Sequence, residues 1–240
     1  MNKSLLIDIG NSNTIFAELI NQKTNFLGQS QTSKLESYLE KLNLKQYQKL
    51  IISSVVPKLN SLFQNYNPVF IDHENIPIIK IGLKNPEEIG ADRLVNALAA
   101  YNQTLGSCLV IDAGTAITLC YIDVTGVYQG GIIYPGMRIA SCALNDYTAK
   151  IPLIYAEPIN KLFGGNTKEA VQIGLFKGTI QMLNGLIKEY REFDPKIKVI
   201  GTGTGLEVLR PYLNLDIYIK DLIFSGLAIC ATSQKCEKPL

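Results

Sequence analysis

The sequence is poor in the residues that most often announce a chemistry. It has a single histidine, His73. It follows an apolar strand, Val69-Phe70-Ile71, where an imidazole is more often structural than catalytic, and one imidazole cannot build a typical metal-ligand set. A serine–histidine–aspartate hydrolase would need that histidine together with a G-x-S-x-G elbow, and no such elbow occurs. Five cysteines stand at 108, 120, 142, 230 and 236. Their number is odd and no C-x-x-C pair is present, which indicates neither a disulfide framework nor a zinc knuckle. Three of them lie in apolar runs, as buried free thiols do, and a reducing cytoplasm is the expected compartment. Charged residues make up 18% and the net charge is +2, with no long basic block, so nucleic-acid binding has no support. The twelve tyrosines form no aromatic–basic stripe either. No apolar run approaches the roughly eighteen residues of a membrane span. The first one, Leu5-Leu6-Ile7, is cut by Asp8 and is too short for a signal peptide. A soluble, cytoplasmic protein is expected, with neither nucleic acid nor membrane as partner. Two nucleotide motifs are also missing. There is no G-x-x-x-x-G-K-[ST] loop, and no G-x-G-x-x-G after the first strand, so neither a Walker site nor a Rossmann dehydrogenase is indicated.

What is present is a chain of 240 residues, 47% of them hydrophobic, enough for one large domain or two small ones. A faint internal repeat runs through it. Leu6-Ile7-Asp8-Ile9-Gly10, continuing to Thr14, reads like Val110-Ile111-Asp112-Ala113-Gly114, continuing to Thr118. In each copy an apolar strand reaches an acid, a glycine follows two residues on, and a second apolar stretch returns, Ile15 to Ile20 and Leu119 to Val124. Leucines at 35, 39 and 42 predict an amphipathic helix over 35–49, mixed in charge and solvated on one face. Leu50 to Val56 reads as a buried strand stopped by Pro57. Helices are predicted over 94–105, near 138–148, near 168–190 and over 223–232, with a strand over 198–201. Strands alternating with helices make the class α/β. The predicted division is 1–107 and 108–240, two similar halves sharing one cleft.

Three loops carry the candidate chemistry. In Asp8-Ile9-Gly10-Asn11-Ser12-Asn13-Thr14 the glycine allows a tight turn, and successive N–H groups with Asn and Ser donors suit phosphate oxygens. An acid at a strand end suits magnesium, directly or through water. An ordinary hairpin turn has the same composition. The second copy, Asp112-Ala113-Gly114-Thr115-Ala116-Ile117-Thr118, shifts the balance, because two such turns suggest two phosphate loops. The third, Gly201-Thr202-Gly203-Thr204-Gly205, lies between a strand and a helix, where bare backbone can approach a purine or phosphate or simply turn the chain.

Paired acid–glycine loops with a late glycine loop are the pattern of the acetate kinase, sugar kinase, actin and heat-shock chaperone superfamily. Within it the chain resembles the type III pantothenate kinases along nearly its whole length. The matching pieces come in family order: Asp8-Ile9-Gly10-Asn11, Asn85-Pro86-Glu87-Glu88-Ile89-Gly90-Ala91-Asp92-Arg93, Asp112-Ala113-Gly114-Thr115-Ala116, Gly130-Gly131-Ile132-Ile133-Tyr134-Pro135-Gly136 and Gly164-Gly165-Asn166-Thr167. The resemblance implies two ribonuclease-H-like, actin-like ATPase subdomains. It implies phosphorylation of pantothenate by ATP as the first step of coenzyme A biosynthesis, and a homodimer. It assigns ATP phosphates to the loop Asp8, Ile9, Gly10, Asn11, Ser12, Asn13 and Thr14, with Asp8 supporting magnesium, and an ATP contact to Thr115. Pantothenate falls to Gly90, Ala91, Asp92, Arg93 and Thr167, with Asp92 as proton acceptor. Asp112 would hold a monovalent cation, potassium or ammonium. The residues suit these roles: Arg93 offers a planar fork for a carboxylate and Asp92 can accept a hydroxyl proton. An acid–base pair opening a helix is also an ordinary solvated feature. Ser12 stands where the family's first loop usually has threonine, which keeps the hydroxyl. Leu83 lies near where many members place a substrate-contacting tyrosine. Other readings are a non-catalytic regulatory relative, or a kinase of another small hydroxylated substrate such as a sugar. A chaperone-type ATPase lacks its peptide-binding module here.

Overall fold

The structure is a computed structural model and describes residues 3–236. The chain forms two compact units. The first takes in the chain to Leu105, the segment Thr125–Gly130 and the chain from Asp221; the second is Gly106–Val124 with Gly131–Lys220.

The first unit begins with β1 (Lys3–Ile9), β2 (Asn13–Ile20) and β3 (Lys23–Gln31), then α1 (Leu35–Leu39), β4 (Lys49–Ser54), β5 (Pro68–Phe70), β6 (Lys80–Ile81) and α2 (Ala91–Thr104). Its five-stranded sheet has the order β3-β2-β1-β4-β5. β1 is central, antiparallel to β2 and parallel to β4, which is why Leu5, Leu6 and Ile7 are buried on both faces. Leu5, Ile7 and Ile9 share one face with Phe16, Leu50 and Ile52, and Leu35, Leu44 and Phe63 cover it. β3 is an edge strand with mostly exposed side chains, joined to β2 through Asn21 and Gln22 at positive φ, the tight turn that suits strand twist.

The second unit holds β7 (Cys108–Ala113), β8 (Ala116–Ile122), the end of β9 (Val127–Pro135), α3 (Met137–Asp146), α4 (Thr167–Phe193), β10 (Lys198–Thr202), α5 (Leu206–Leu209) and β11 (Ile217–Tyr218). Its strands follow the order β9-β8-β7-β10-β11. This is the wiring of the first sheet: a meander of three strands, then two more beside the first. β7 is antiparallel to β8 and parallel to β10, as β1 is to β2 and β4. The repeat legible in two short sequence stretches is therefore a repeat of topology. Phe176, Ile180, Leu183 and Ile187 follow the helical period along α4 and pack on Leu109, Ile111, Ile117, Leu119 and Val199. α4 stops at Asp194, held out of the helical region before Pro195. There Tyr121 Oη donates to Asp194 Oδ2 at 3.0 Å. Burial, and then that bond, push the Tyr121 hydroxyl up to about 12.

The helix α6 (Leu222–Thr232) returns to the first unit, where it packs on α2, β1 and β4. The compact units thus change near residue 105, and the chain from Asp221 lies with the first rather than with the second half of a division at 107. The predicted helix over 35–49 is also corrected. Only Leu35–Leu39 is α-helical; Asn43 leaves the helical region, a 3₁₀ turn follows at Leu44–Gln46, and β4 has begun by Lys49. Its apolar positions still serve the core, because Leu35 is buried and Leu39 and Leu42 pack against the same cluster. Among the described residues no helix is long and apolar enough to cross a membrane.

Candidate active site

In the first unit β1 ends at an acid. Asp8 lies beside Ser53 in the parallel pairing of β1 with β4. The fully buried Ser53 donates its Oγ proton to Asp8 Oδ1 at 2.9 Å, which fixes the carboxylate. The turn is closed by Gly10 N–H to Asn13 O at 3.0 Å, with Asn11, Ser12 and Asn13 exposed at its tip. Ile9 and Thr14 are buried; the Ile9 carbonyl accepts Val55 N–H at 3.0 Å, so this residue serves spacing and the core.

The chain that leaves β4 also meets the start of α2. A Cβ placed on Gly90 would touch Val55 Cγ1 at 3.4 Å. Gly90 is the residue before the first turn of α2, Ala91 is buried behind it, and Asp92 and Arg93 follow. Asp92 Oδ1 accepts the Arg93 N–H at 2.8 Å, as an acid in a helix's first turn does. Burial pushes the Asp92 carboxyl above its ordinary value, against the pull of the Arg93 N–H and guanidinium. Arg93 Nη2 donates to Glu88 O at 3.3 Å, which ties one arm of the fork to the preceding turn. Within one unit the acid–glycine turn and the Gly90–Arg93 stretch therefore flank the same strand end. Leu83 lies against Gly130, also in this unit.

The second unit repeats the turn and adds to it. Gly114 N–H closes on Ala116 O at 2.9 Å. Gly205 N–H donates to Ala113 O at 2.8 Å and Gly136 N–H to Thr115 O at 3.1 Å. Gly203, at φ +90°, lies against the Asp112 carboxylate and the Ala113 carbonyl, leaving no room for a side chain. Gly136 is pressed equally close to the Gly114 and Thr115 carbonyls. The second acid–glycine turn, the late glycine loop and the end of the Gly130–Gly136 stretch are thus one cluster, with Thr115 and Thr204 exposed on it.

Gly164-Gly165-Asn166-Thr167 begins α4. Asn166 Oδ1 accepts Glu169 N–H at 2.9 Å, and Glu169 Oε2 accepts Gly165 N–H at 2.9 Å. This reciprocal cap has the logic of a capping box. Lys161 Nζ, 2.7 Å from Glu169 Oε1, holds that carboxyl below its usual range, with help from Gly165. Thr167 stands exposed at the first helical position. No group of three or more His, Cys, Asp or Glu suited to a metal occurs among the described residues.

Two residues of the first unit were not found from sequence. Ser53 follows an apolar run as a small polar residue, a signal that acquires meaning only from the β1–β4 register. Thr32 lies beyond the edge strand and carries no motif; its Oγ1 donates to Gly10 O at 2.7 Å.

The doubled sheet and its two acid–glycine turns define an actin-like fold of the sugar-kinase and ATPase class. A Sinorhizobium meliloti structure named for 2-dehydro-3-deoxygalactonokinase shares that fold, with a TM-score of 0.60 at 11% identity over 94% of this chain and 97% of its own. The family model for type III pantothenate kinase matches residues 4–189. A type III pantothenate kinase of Hyphomonas neptunium is 33% identical over 245 aligned positions, covering 93% of this chain and 96% of that one. The chain belongs to the type III pantothenate kinase family. A Campylobacter jejuni structure assigned to the Baf family of transcriptional activators is 28% identical, with a TM-score of 0.65 over 93% of this chain and 94% of its own.

Proposed function

We propose that the chain transfers the γ-phosphoryl group of ATP to the primary hydroxyl of pantothenate, forming 4′-phosphopantothenate and ADP on the way to coenzyme A. The observation that carries this reading, beside the family, is the partly buried Asp92 whose carboxyl is pushed up next to Arg93. Arg93 binds the substrate carboxylate with the donors of its fork. Asp92 accepts the hydroxyl proton as the phosphoryl group moves. Thr167 contributes a hydroxyl to pantothenate. The exposed tip Asn11-Ser12-Asn13 and Thr115 bind ATP phosphates, and Thr14 supports the turn from within.

The donors fit single-carboxylate cation sites rather than a protein cage, since no three-ligand cluster is present among the described residues. Asp8, oriented by Ser53, is the residue that would hold magnesium together with the nucleotide's own oxygens. Asp112, beside the glycine loop, is the one that would hold potassium or ammonium. Such ions offset phosphate charge during transfer. A homodimer belongs to the same reading. Tyr147, Leu162 and Phe163 of the second unit are 90%, 86% and 80% exposed, an apolar load suited to burial against a second copy. Light scattering under assay conditions checks it, and full activity in a monomer contradicts it.

The Baf-family relative favours one other reading, a regulatory protein on the same fold. One experiment separates the two. The protein is incubated with ATP, magnesium, potassium and a panel of acceptors, and products are read by mass. Formation of 4′-phosphopantothenate is expected; nucleotide binding without transfer to any acceptor overturns the enzymatic reading.

A further inference from the structure

We propose that Thr32 is the positioning residue of the first phosphate loop, aiming its N–H groups through a buried hydroxyl relay. The proposal rests on the reading of Gly10–Asn13 as a nucleotide-phosphate site. Thr32 is only 6% exposed and follows the edge strand β3, outside every motif of the family resemblance. It grips the turn with both of its donors. Its Oγ1 donates to Gly10 O at 2.7 Å and its backbone N–H donates to Ser12 O at 3.0 Å.

The direction of the relay follows from proton counting. A threonine hydroxyl has one proton. That of Thr32 is spent on Gly10 O, so in the 3.1 Å contact between Thr14 Oγ1 and Thr32 Oγ1 the donor is Thr14. The order is Thr14 to Thr32 to the Gly10 carbonyl. Thr14, fully buried, therefore points its hydroxyl proton inward, not at a ligand. It takes part in the phosphate site by bracing the turn.

The consequence lies in the peptide planes. A carbonyl and the next residue's N–H sit in one rigid trans unit and point in opposite directions. Holding the Gly10 carbonyl toward Thr32 turns the Asn11 N–H away from it. Holding the Ser12 carbonyl does the same for the Asn13 N–H. Thr32 thus sets the direction of two backbone donors in the exposed part of the turn. Donors fixed before the anion arrives need no reorganisation on binding. Without the hydroxyl, the Gly10 carbonyl and the Thr14 hydroxyl lose their partner in a buried place, and the turn must shift to find others.

The test compares Thr32→Val, which removes the hydroxyl at nearly constant shape, with Thr32→Ser, which keeps it. Steady-state kinetics give KM for ATP and for pantothenate separately. Calorimetric titration with the magnesium complex of a non-hydrolysable ATP analogue reads the nucleotide site without turnover. Thr32→Val should raise KM for ATP and the analogue's Kd about tenfold, equivalent to about 1.4 kcal/mol. It should leave KM for pantothenate within about twofold, while Thr32→Ser restores nucleotide affinity. Unchanged analogue affinity in Thr32→Val, an equal rise in both KM values, or a serine variant as poor as the valine variant each overturns the proposal. If Thr32→Val does not fold, Thr32→Cys replaces it, since a thiol is a weak donor of similar size. Weak binding by the cysteine variant beside near-normal binding by the serine variant then supports the relay, and equal binding by the two overturns it. Wild-type protein that binds the analogue but leaves pantothenate unphosphorylated refutes the proposed substrate alone, and the Thr32 comparison still decides the relay. Wild-type protein that binds no nucleotide overturns both.

Discussion

Asp92→Asn isolates basicity from shape. Asp92 Oδ1 accepts the Arg93 N–H at 2.8 Å, and an asparagine oxygen can accept the same bond. The amide then replaces the second carboxylate oxygen without changing size, so the start of α2 keeps its form. What disappears is the capacity to take a proton. General-base assistance is worth about 10²–10⁴ in rate, and a loose phosphoryl transfer draws on only part of it, so kcat should fall about 10²-fold or more. Pantothenate affinity, measured by calorimetry, should stay within about threefold because Arg93 is intact. Arg93→Ala should show the opposite pattern, weak pantothenate binding first. The pH dependence supplies a second readout. Burial raises the Asp92 carboxyl, so the acid limb of kcat in the wild type should lie above the ordinary aspartate value near 4 and vanish in the variant. Stability has a definite sign as well. A raised folded value means that Asp92 contributes its full stability below the unfolded value and loses it as pH rises through the folded one. At neutral pH the variant, which does not titrate there, should therefore melt higher than the wild type, and the gap should close in acid. A variant with near wild-type kcat would show that Asp92 is not the base and that another group activates the hydroxyl.

Asp112→Asn should raise KM for ATP about tenfold and flatten the response to potassium, because it removes a carboxylate from the glycine cluster of the second unit; equal wild-type rates in potassium-free and potassium-rich buffer would refute the cation role. Asn166→Ala should cost about 1 kcal/mol through loss of the α4 cap, lowering Tm by about 2–4 °C in a thermal melt.

How much could be read in advance depended on whether a residue's role is local. The two acid–glycine turns were legible because each needs a particular composition at a particular spacing, and the structure closes each through its glycine N–H, Gly10 to Asn13 O and Gly114 to Ala116 O, the second turn being one residue shorter. α4 was legible because its apolar face repeats over many turns. β3 was not: its side chains are mostly exposed, so no alternation marks it, although it is the third strand of the meander. The over-long helix at 35–49 arose because leucines spaced for a helix also suit a short helix followed by turns facing the same core. Ser53 and Thr32 act across strand registers, Asp8 beside Ser53 and Gly10 near Thr32, and a register is a property of the folded sheet. The return of α6 to the first unit had no local signal either, since an apolar helix reads alike whichever surface it covers.

That return orders events during synthesis. The second unit is complete once Lys220 has left the ribosome, whereas the first still waits for the helix that covers β1 and β4. Until Leu222–Thr232 emerges, the strand that carries Asp8 and the helix that carries Asp92 lack part of their apolar cover. Of the two units, the one whose strands are translated first is thus completed second. A nascent chain stalled before Leu222–Thr232 would carry a whole second unit and an open first one, a form that chaperones and proteases recognise by its uncovered hydrophobic surface.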